Sequence, residues 1–467
     1  MMKRFFILAF AGLSSFATLA AAGDFRLPAF ETAKLSNGLT VYLMERHDVP
    51  LIAVRAVLKA GAVSDGQQAG LANLTGDGLL LGSEKYDKKT VDQTFDFLGA
   101  RISSVTGAEQ SGLVADFARD DAAKLLPIFA DMLQHPVFEE NEFGKLRART
   151  VDELRQAKES PRNVVQTYYR SMLFGDGAYA NPVSGSLTSV AALQRSDLQA
   201  FHRAYYRPDN AALVVVGDFK PTAMRQQLEG LFGKWRANGE LPKPRANGTV
   251  TAPKSRVWLV NKSDAVETTF LFGGAGIARN DPDYVQLQVL NTILGGRFTS
   301  WLNDELRVNS GLTYGARSEF SPLSQTGTFA VSSFTATPKT EAALALAAST
   351  YQRLWDKGID AATLESAKAY VKGQYPPRFE TSQQLAGLLA DMYINKVGRD
   401  QIDHFTRDVD SLTPERAKLL VDKHFPRDKL QMVLIGKAEA IRGIAAKYGE
   451  ITELDITASG FAPTTVK

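Results

Sequence analysis

Apolar runs of strand length alternate with amphipathic helical stretches along the chain, and the pattern is written twice. Ala211-Ala212-Leu213-Val214-Val215-Val216-Gly217 follows the polar turn Y-R-P-D-N that begins at Tyr206. Leu430-Gln431-Met432-Val433-Leu434-Ile435-Gly436 follows F-P-R-D-K, which begins at Phe425. The pairs Tyr206/Phe425 and Gly217/Gly436 are each separated by 219 residues. A β-branched apolar run stopped by glycine predicts a buried strand in each copy. A helix is expected before each: Ser196-Asp197-Leu198-Gln199 reads as a capping box, and Thr413-Pro414-Glu415 as an N-cap with proline at N1.

The beginnings of the two units correspond as well. Gly38–Leu43 and Arg256–Val260 are opening strands. Each leads through a second strand to a helix closing on Leu-Gly, at Leu81-Gly82 and Leu294-Gly295, 213 residues apart. A period above 200 residues is too long for a solenoid and indicates a tandem domain duplication. The boundaries follow as 23–236 for the first domain, 237–255 for a Pro/Gly/Asn/Lys-rich linker and 256–467 for the second. Long helices are expected at Asp120–Leu133, Glu139–Lys158 and Glu341–Asp356. Alternating polarity over Thr328–Phe334 points to antiparallel strands, so the expected class is α+β: two homologous α/β rolls, each a mainly antiparallel sheet packed with helices.

Composition narrows the chemistry. The chain of 467 residues has no cysteine, which removes disulfides, thiolate metal sites and cysteine nucleophiles together. Its five histidines, His47, His135, His202, His404 and His424, are too scattered for a local two-histidine metal motif. Met1–Arg4, the apolar run Phe5–Leu13 and Ala20-Ala21-Ala22 form a secretory leader over 1–22, with cleavage expected near Ala22–Gly23 and export to the periplasm. Retention of the leader as an anchor is the alternative. Loss of Lys3 and Arg4 lowers the formal charge of +3 by two, to +1, so nothing in the charge suggests nucleic acid or a membrane surface. No later run is long and apolar enough for a membrane span. His424, at a helix end, is expected to act locally on the helix dipole.

The segment Gly70–Ser83, G-L-A-N-L-T-G-D-G-L-L-L-G-S, resembles the zinc helix of the pitrilysin/insulinase family, which includes the mitochondrial processing peptidases. The resemblance continues through Asn181–Ser186, Phe201–Asp218, Leu294–Leu302 and Leu306–Tyr314, and so spans nearly the whole mature chain. It implies a clamshell chamber, of which this chain forms half. The family's motif H-x-x-E-H supplies two zinc ligands and a general base. Here those five positions read Asn73-Leu74-Thr75-Gly76-Asp77. Both histidines and the base are gone, and Gly76 has no side chain with which to polarise a water. Glu153 matches the family's third ligand, but one carboxylate does not hold catalytic zinc. Peptide hydrolysis by this chain alone is therefore not expected, and no cofactor is expected in it. A hard cation held by Asn73, Asp77 and Glu153 is a minor alternative to a relict polar face.

The resemblance also assigns Arg307 and Tyr314 to the arginine–tyrosine pair of the family's second half. Phe298, Leu302 and Leu306 follow i, i+4 spacing and are expected to face a core, leaving Arg307 outside that stripe. Gly311 permits a sharp turn that returns Tyr314 to the helix end. A guanidinium and a phenol together suit a peptide carbonyl or the oxyanion formed from it. The structural alternative is a surface ion pair for Arg307 and a packed Tyr314. Ser103, Ser104, Val105 and Thr106, within Arg101–Thr106, match the family's substrate-side strand, although Ser103 replaces the usual asparagine.

Two functions follow from the resemblance. In the first, the chain is the zinc-less subunit of a heterodimeric metalloendopeptidase, whose H-x-x-E-H-bearing partner supplies zinc and base. In the second, it is a non-enzymatic peptide-binding or assembly protein of the cell envelope, taking extended peptides by strand addition.

Overall fold

The computed structural model describes residues 25–463 apart from 244, 247, 249 and 251; the expected leader lies outside the described residues. Twelve strands form two six-stranded sheets. The first sheet contains β1 (Glu31–Lys34), β2 (Thr40–Glu45), β3 (Leu51–Leu58), β4 (Arg101–Thr106), β5 (Ser111–Ala118) and β6 (Ala211–Gly217). The second contains β7 (Arg256–Asn261), β8 (Glu267–Ala275), β9 (Ala316–Pro322), β10 (Gly327–Ala336), β11 (Gln431–Gly436) and β12 (Glu450–Asp455). Their orders are β1-β2-β6-β3-β5-β4 and β12-β7-β11-β8-β10-β9. The two orders coincide when β7–β11 stand for β2–β6. They differ only at one edge, where β1 runs antiparallel to β2 but β12 runs parallel to β7. The remaining pairs are antiparallel except β2–β6 and β7–β11. The fold is thus α+β in two related domains.

The helices explain why so many strands read as unbroken apolar runs. Each sheet carries its own domain's helices on one face and one helix of the other domain on the opposite face. Helix Pro161–Phe174 sends Val164, Tyr168, Tyr169 and Met172 onto Trp258, Leu271, Val433 and Ile435 of the second sheet. In return, Leu385 and Leu389 of helix Ser382–Asn395 share a core with Ala53, Val57, Val214 and Val216 of the first. A strand covered on both faces has no solvent side on which to alternate, and every residue of β6 and β11 is buried. The chain ends cross over too. Leu27 is buried in the second domain's core and its N–H donates to Asp403 Oδ1 at 2.7 Å. Phe461 packs edge-on against Tyr168, with Lys158 over its ring.

Most expected helices form close to their expected bounds, as Ala122–Gln134, Glu140–Ala157 and Thr340–Asp356. Thr413 caps its helix with proline at N1, as its sequence suggests. Three local readings need correction. The capping box before β6 uses Gln194 and Asp197, so Ser196 lies inside the helix, which begins two residues earlier than its motif suggests. Phe298 is 61% exposed, whereas Leu302 and Leu306 are fully buried. Phe298 precedes the first helical turn, at Trp301, so the i, i+4 spacing does not reach it. His424 does more than meet a helix dipole: its Nε2 lies 2.8 Å from the buried Asp283 carboxylate. Among the described residues, no helix is long and apolar enough to cross a membrane.

Candidate functional site

Helix α1 (Leu71–Gly78) carries the degenerate motif and lies across the outer strand β4. Its amino end is held by Asp65, which sequence reading did not single out. The buried Asp65 carboxylate accepts N–H bonds from Gly70 at 2.8 Å and Ala72 at 2.7 Å. Burial pushes this carboxyl up to about 7, against the pull of the two amides.

The polar groups of the motif are consumed within the protein. Asn73 Nδ2 donates to Asp77 Oδ2 at 3.3 Å, and the Ser104 hydroxyl donates to Asp77 Oδ1. Burial raises the Asp77 carboxyl, opposed by the Ser104 bond and by the nearby Arg149 charge. Glu153 does not join them: it is 63% exposed and pairs with Arg149 at 3.5 Å. The cation beside Asp77 is the Arg149 guanidinium, and the Glu153 carboxylate is not free of it. Nor does this donor set fit zinc, because it offers one engaged amide and one engaged carboxylate where imidazoles are required. Gly76 sits so close to β4 that a Cβ there would meet Thr106 Oγ1 at 2.8 Å. The position of the missing base is thus packed against β4 as well as chemically blank.

The outer position of β4 is real. It is hydrogen-bonded only to β5, in the register Arg101↔Asp116 to Thr106↔Ser111. Ser103 is exposed, Ser104 is turned toward Asp77, and Val105 and Thr106 are half-buried.

In the second domain the corresponding outer strand is β9, and the turn before it carries Arg307 and Tyr314. The helix from Trp301 widens over Asp304–Asn309 into a π-helical turn, in which the Ser310 N–H reaches Glu305 O at 3.2 Å. Gly311, at φ +60°, then reverses the chain. The backbone of the turn is tied from three sides. Ser333 Oγ donates to Gly315 O at 2.9 Å, and Thr335 Oγ1 to Leu312 O at 2.7 Å. The Ala316 N–H donates to Asn303 Oδ1 at 3.0 Å.

On this fixed backbone the two side chains stand free. Tyr314 is 82% exposed, so it does not pack on the hairpin. Arg307 forms no ion pair among the described residues; its guanidinium stacks 4.7 Å from the exposed Phe298 ring. Both residues line one cleft of about 390 Å³, together with Asn303, Ser332 and Ser333. The structure therefore brings Arg307 and Tyr314 together and adds Phe298, Asn303 and Ser333, which no local motif marks.

The only group of three His, Cys, Asp or Glu side chains close enough to share an ion, among the described residues, is Asp281, Asp283 and His424. Arg416 and Lys423 already occupy the Asp283 carboxylate at 2.5 and 2.7 Å, so that group is a charge-balanced structural cluster.

Comparison with known proteins agrees with this architecture. Residues 40–186 match a family model described as Insulinase (Peptidase family M16), and residues 192–371 one described as Peptidase M16 inactive domain. The uncharacterized zinc protease YmxG of Bacillus subtilis is 21% identical over 393 residues, spanning 84% of this chain and 95% of its own. An uncharacterized zinc protease of Rickettsia bellii is 26% identical over 314 residues, spanning 67% and 75%. The crystal structure of a peptidase M16 inactive domain from Pseudomonas fluorescens superposes with a TM-score of 0.80 at 25% identity, covering 87% of this chain and 98% of that one. A protease from Helicobacter pylori shares the fold, with a TM-score of 0.80 at 20% identity over 88% of this chain and 100% of that one.

Proposed function

The chain belongs to peptidase family M16, and we propose that within it this protein is the zinc-less half of a two-chain metalloendopeptidase. One observation carries the reading: Arg307 and Tyr314 project, unpaired, from a turn whose backbone is hydrogen-bonded in place. Exposed donors on a fixed scaffold are organised for a group that arrives from outside. Arg307 would donate to the carbonyl oxygen of a bound peptide, and the Tyr314 hydroxyl would donate beside it. Zinc and the general base would belong to a homologous partner that retains H-x-x-E-H. This chain would close the chamber and hold the substrate. Export to the periplasm, after cleavage near Ala22–Gly23, belongs to the same proposal.

The open edge of β4 favours a second reading, in which the chain holds extended peptides without cleaving them. Co-purification from the native envelope, followed by metal analysis, separates the two. Zinc at one per two chains, with an H-x-x-E-H homologue present, supports the two-chain peptidase; a zinc-free complex supports peptide holding.

A further inference from the structure

The walls of the Arg307/Tyr314 cleft carry a second pattern, in their charge. Three arginines line it: Arg162 from the first turn of the helix crossing over from the first domain, Arg307 from the π-helical turn, and Arg317 from β9. No aspartate or glutamate lines it. The other polar groups are neutral, among them Thr269, Asn303, Ser332 and Ser333. Glu305 and Glu319, acids on the flanking elements, are not among the walls, and Glu305 is engaged by Asn309 at 3.3 Å. Among the described residues only Arg162 is within ion-pair distance of an acid, Glu267 at 3.7 Å, and its guanidinium stacks on Phe334 at 4.1 Å. The amino end of the 161–174 helix points the same way, because its partial positive charge adds to that of Arg162. Three arginines from three elements, of which only Arg162 stands within ion-pair distance of an acid among the described residues, make a field that attracts anionic groups and repels cationic ones.

We infer that the cleft selects peptides with acidic side chains next to the segment held by Arg307 and Tyr314. This rests on the reading of that pair as a peptide-carbonyl site and names its substrate class. Arg317, one strand position beyond the tied turn, and Arg162, from the crossing helix, are the specificity residues. Each would take a carboxylate through a charge-assisted, two-pronged hydrogen bond.

The test is fluorescence anisotropy of the full chain with three dye-labelled extended peptides of one sequence, carrying glutamate, glutamine or lysine at the same positions. The glutamate peptide should bind about tenfold more tightly than the glutamine peptide, with lysine weakest, and the spread should shrink as salt is raised. Arg317→Gln and Arg162→Gln should each narrow the preference for glutamate over glutamine severalfold. Equal binding of all three peptides, or no binding, overturns the acidic preference. So does an oligonucleotide that binds as well as the glutamate peptide, since it would mark a general polyanion surface. Equal peptide affinities that still require Arg307 would remove the substrate class and leave the carbonyl-binding role standing.

Discussion

Two regions beside the outer strands, one in each domain, use their hydrogen bonds in opposite ways. At α1 and β4 the polar groups face each other: Asn73 and Ser104 both bond Asp77, and Arg149 stands beside it. At the turn before β9 the hydrogen bonds go to the backbone; among the described residues Arg307 forms no ion pair and stacks only on Phe298, and Tyr314 is exposed. The first arrangement ties Asn73, Asp77 and Ser104 to one another, although Thr106 Oγ1 is buried beside Gly76 without a hydrogen-bond partner among the described residues. The second spends its bonds on its backbone and leaves the Arg307 and Tyr314 side chains exposed. Within one duplicated fold, the two regions thus differ in where their hydrogen bonds end.

The contrast is broken most severely at Arg307. In a complex with a zinc-bearing partner, Arg307→Ala should lower peptide hydrolysis by about a hundredfold, the usual effect of removing one oxyanion donor. The urea midpoint should not move, because the side chain is exposed. A variant that lost stability along with activity would place Arg307 in the scaffold.

Rebuilding the lost motif tests the other side. The combination Asn73→His, Gly76→Glu and Asp77→His should destabilise the protein by about 1–3 kcal/mol, since any side chain at 76 must push Thr106 aside. Urea unfolding measures this, and a wild-type midpoint would show that β4 stands off farther than described.

Ser333→Ala addresses the tether. It removes the bond to Gly315 O and should cost about 1 kcal/mol, with faster amide exchange confined to residues 311–316. Unchanged exchange there would mean that the turn holds itself.

The smallest effect concerns the cap of α1. A carboxyl raised in the folded state adds stability below its unfolded value, near 3.8, and loses it as pH rises through about 7. Stability should therefore fall by about 1 kcal/mol between about pH 6 and pH 8 in the wild type, and not in Asp65→Asn. Equal slopes in denaturation measured at both pH values would contradict the raised Asp65.

The duplication, the α+β class and most helices could be read in the sequence because each rests on local periodicity and turn chemistry. The exchange of helices between domains could not. Tyr168 and Tyr169 look like any buried helix face, and nothing in their neighbourhood says which sheet they cover. Phe298 was misread for a related reason: its spacing fits a helix, but the helix starts after it. In the first domain the absence of histidine at positions 73 and 77 is visible as residue types, whereas the tight fit of Gly76 on Thr106 depends on a strand some thirty residues away. Arg162 and Arg317 escaped notice because they meet Arg307 only once the 161–174 helix has crossed to the second sheet.

The central claim is that this chain lends Arg307 and Tyr314 to a partner's chemistry. Its most direct test is to titrate a purified H-x-x-E-H homologue from the same envelope with this chain and follow hydrolysis of a quenched fluorescent peptide. Activity should rise to a plateau at one chain per partner, and Arg307→Ala and Tyr314→Phe should form the same complex with little of that activity. A partner that gains nothing from this chain, or gains as much from the two variants, would contradict it.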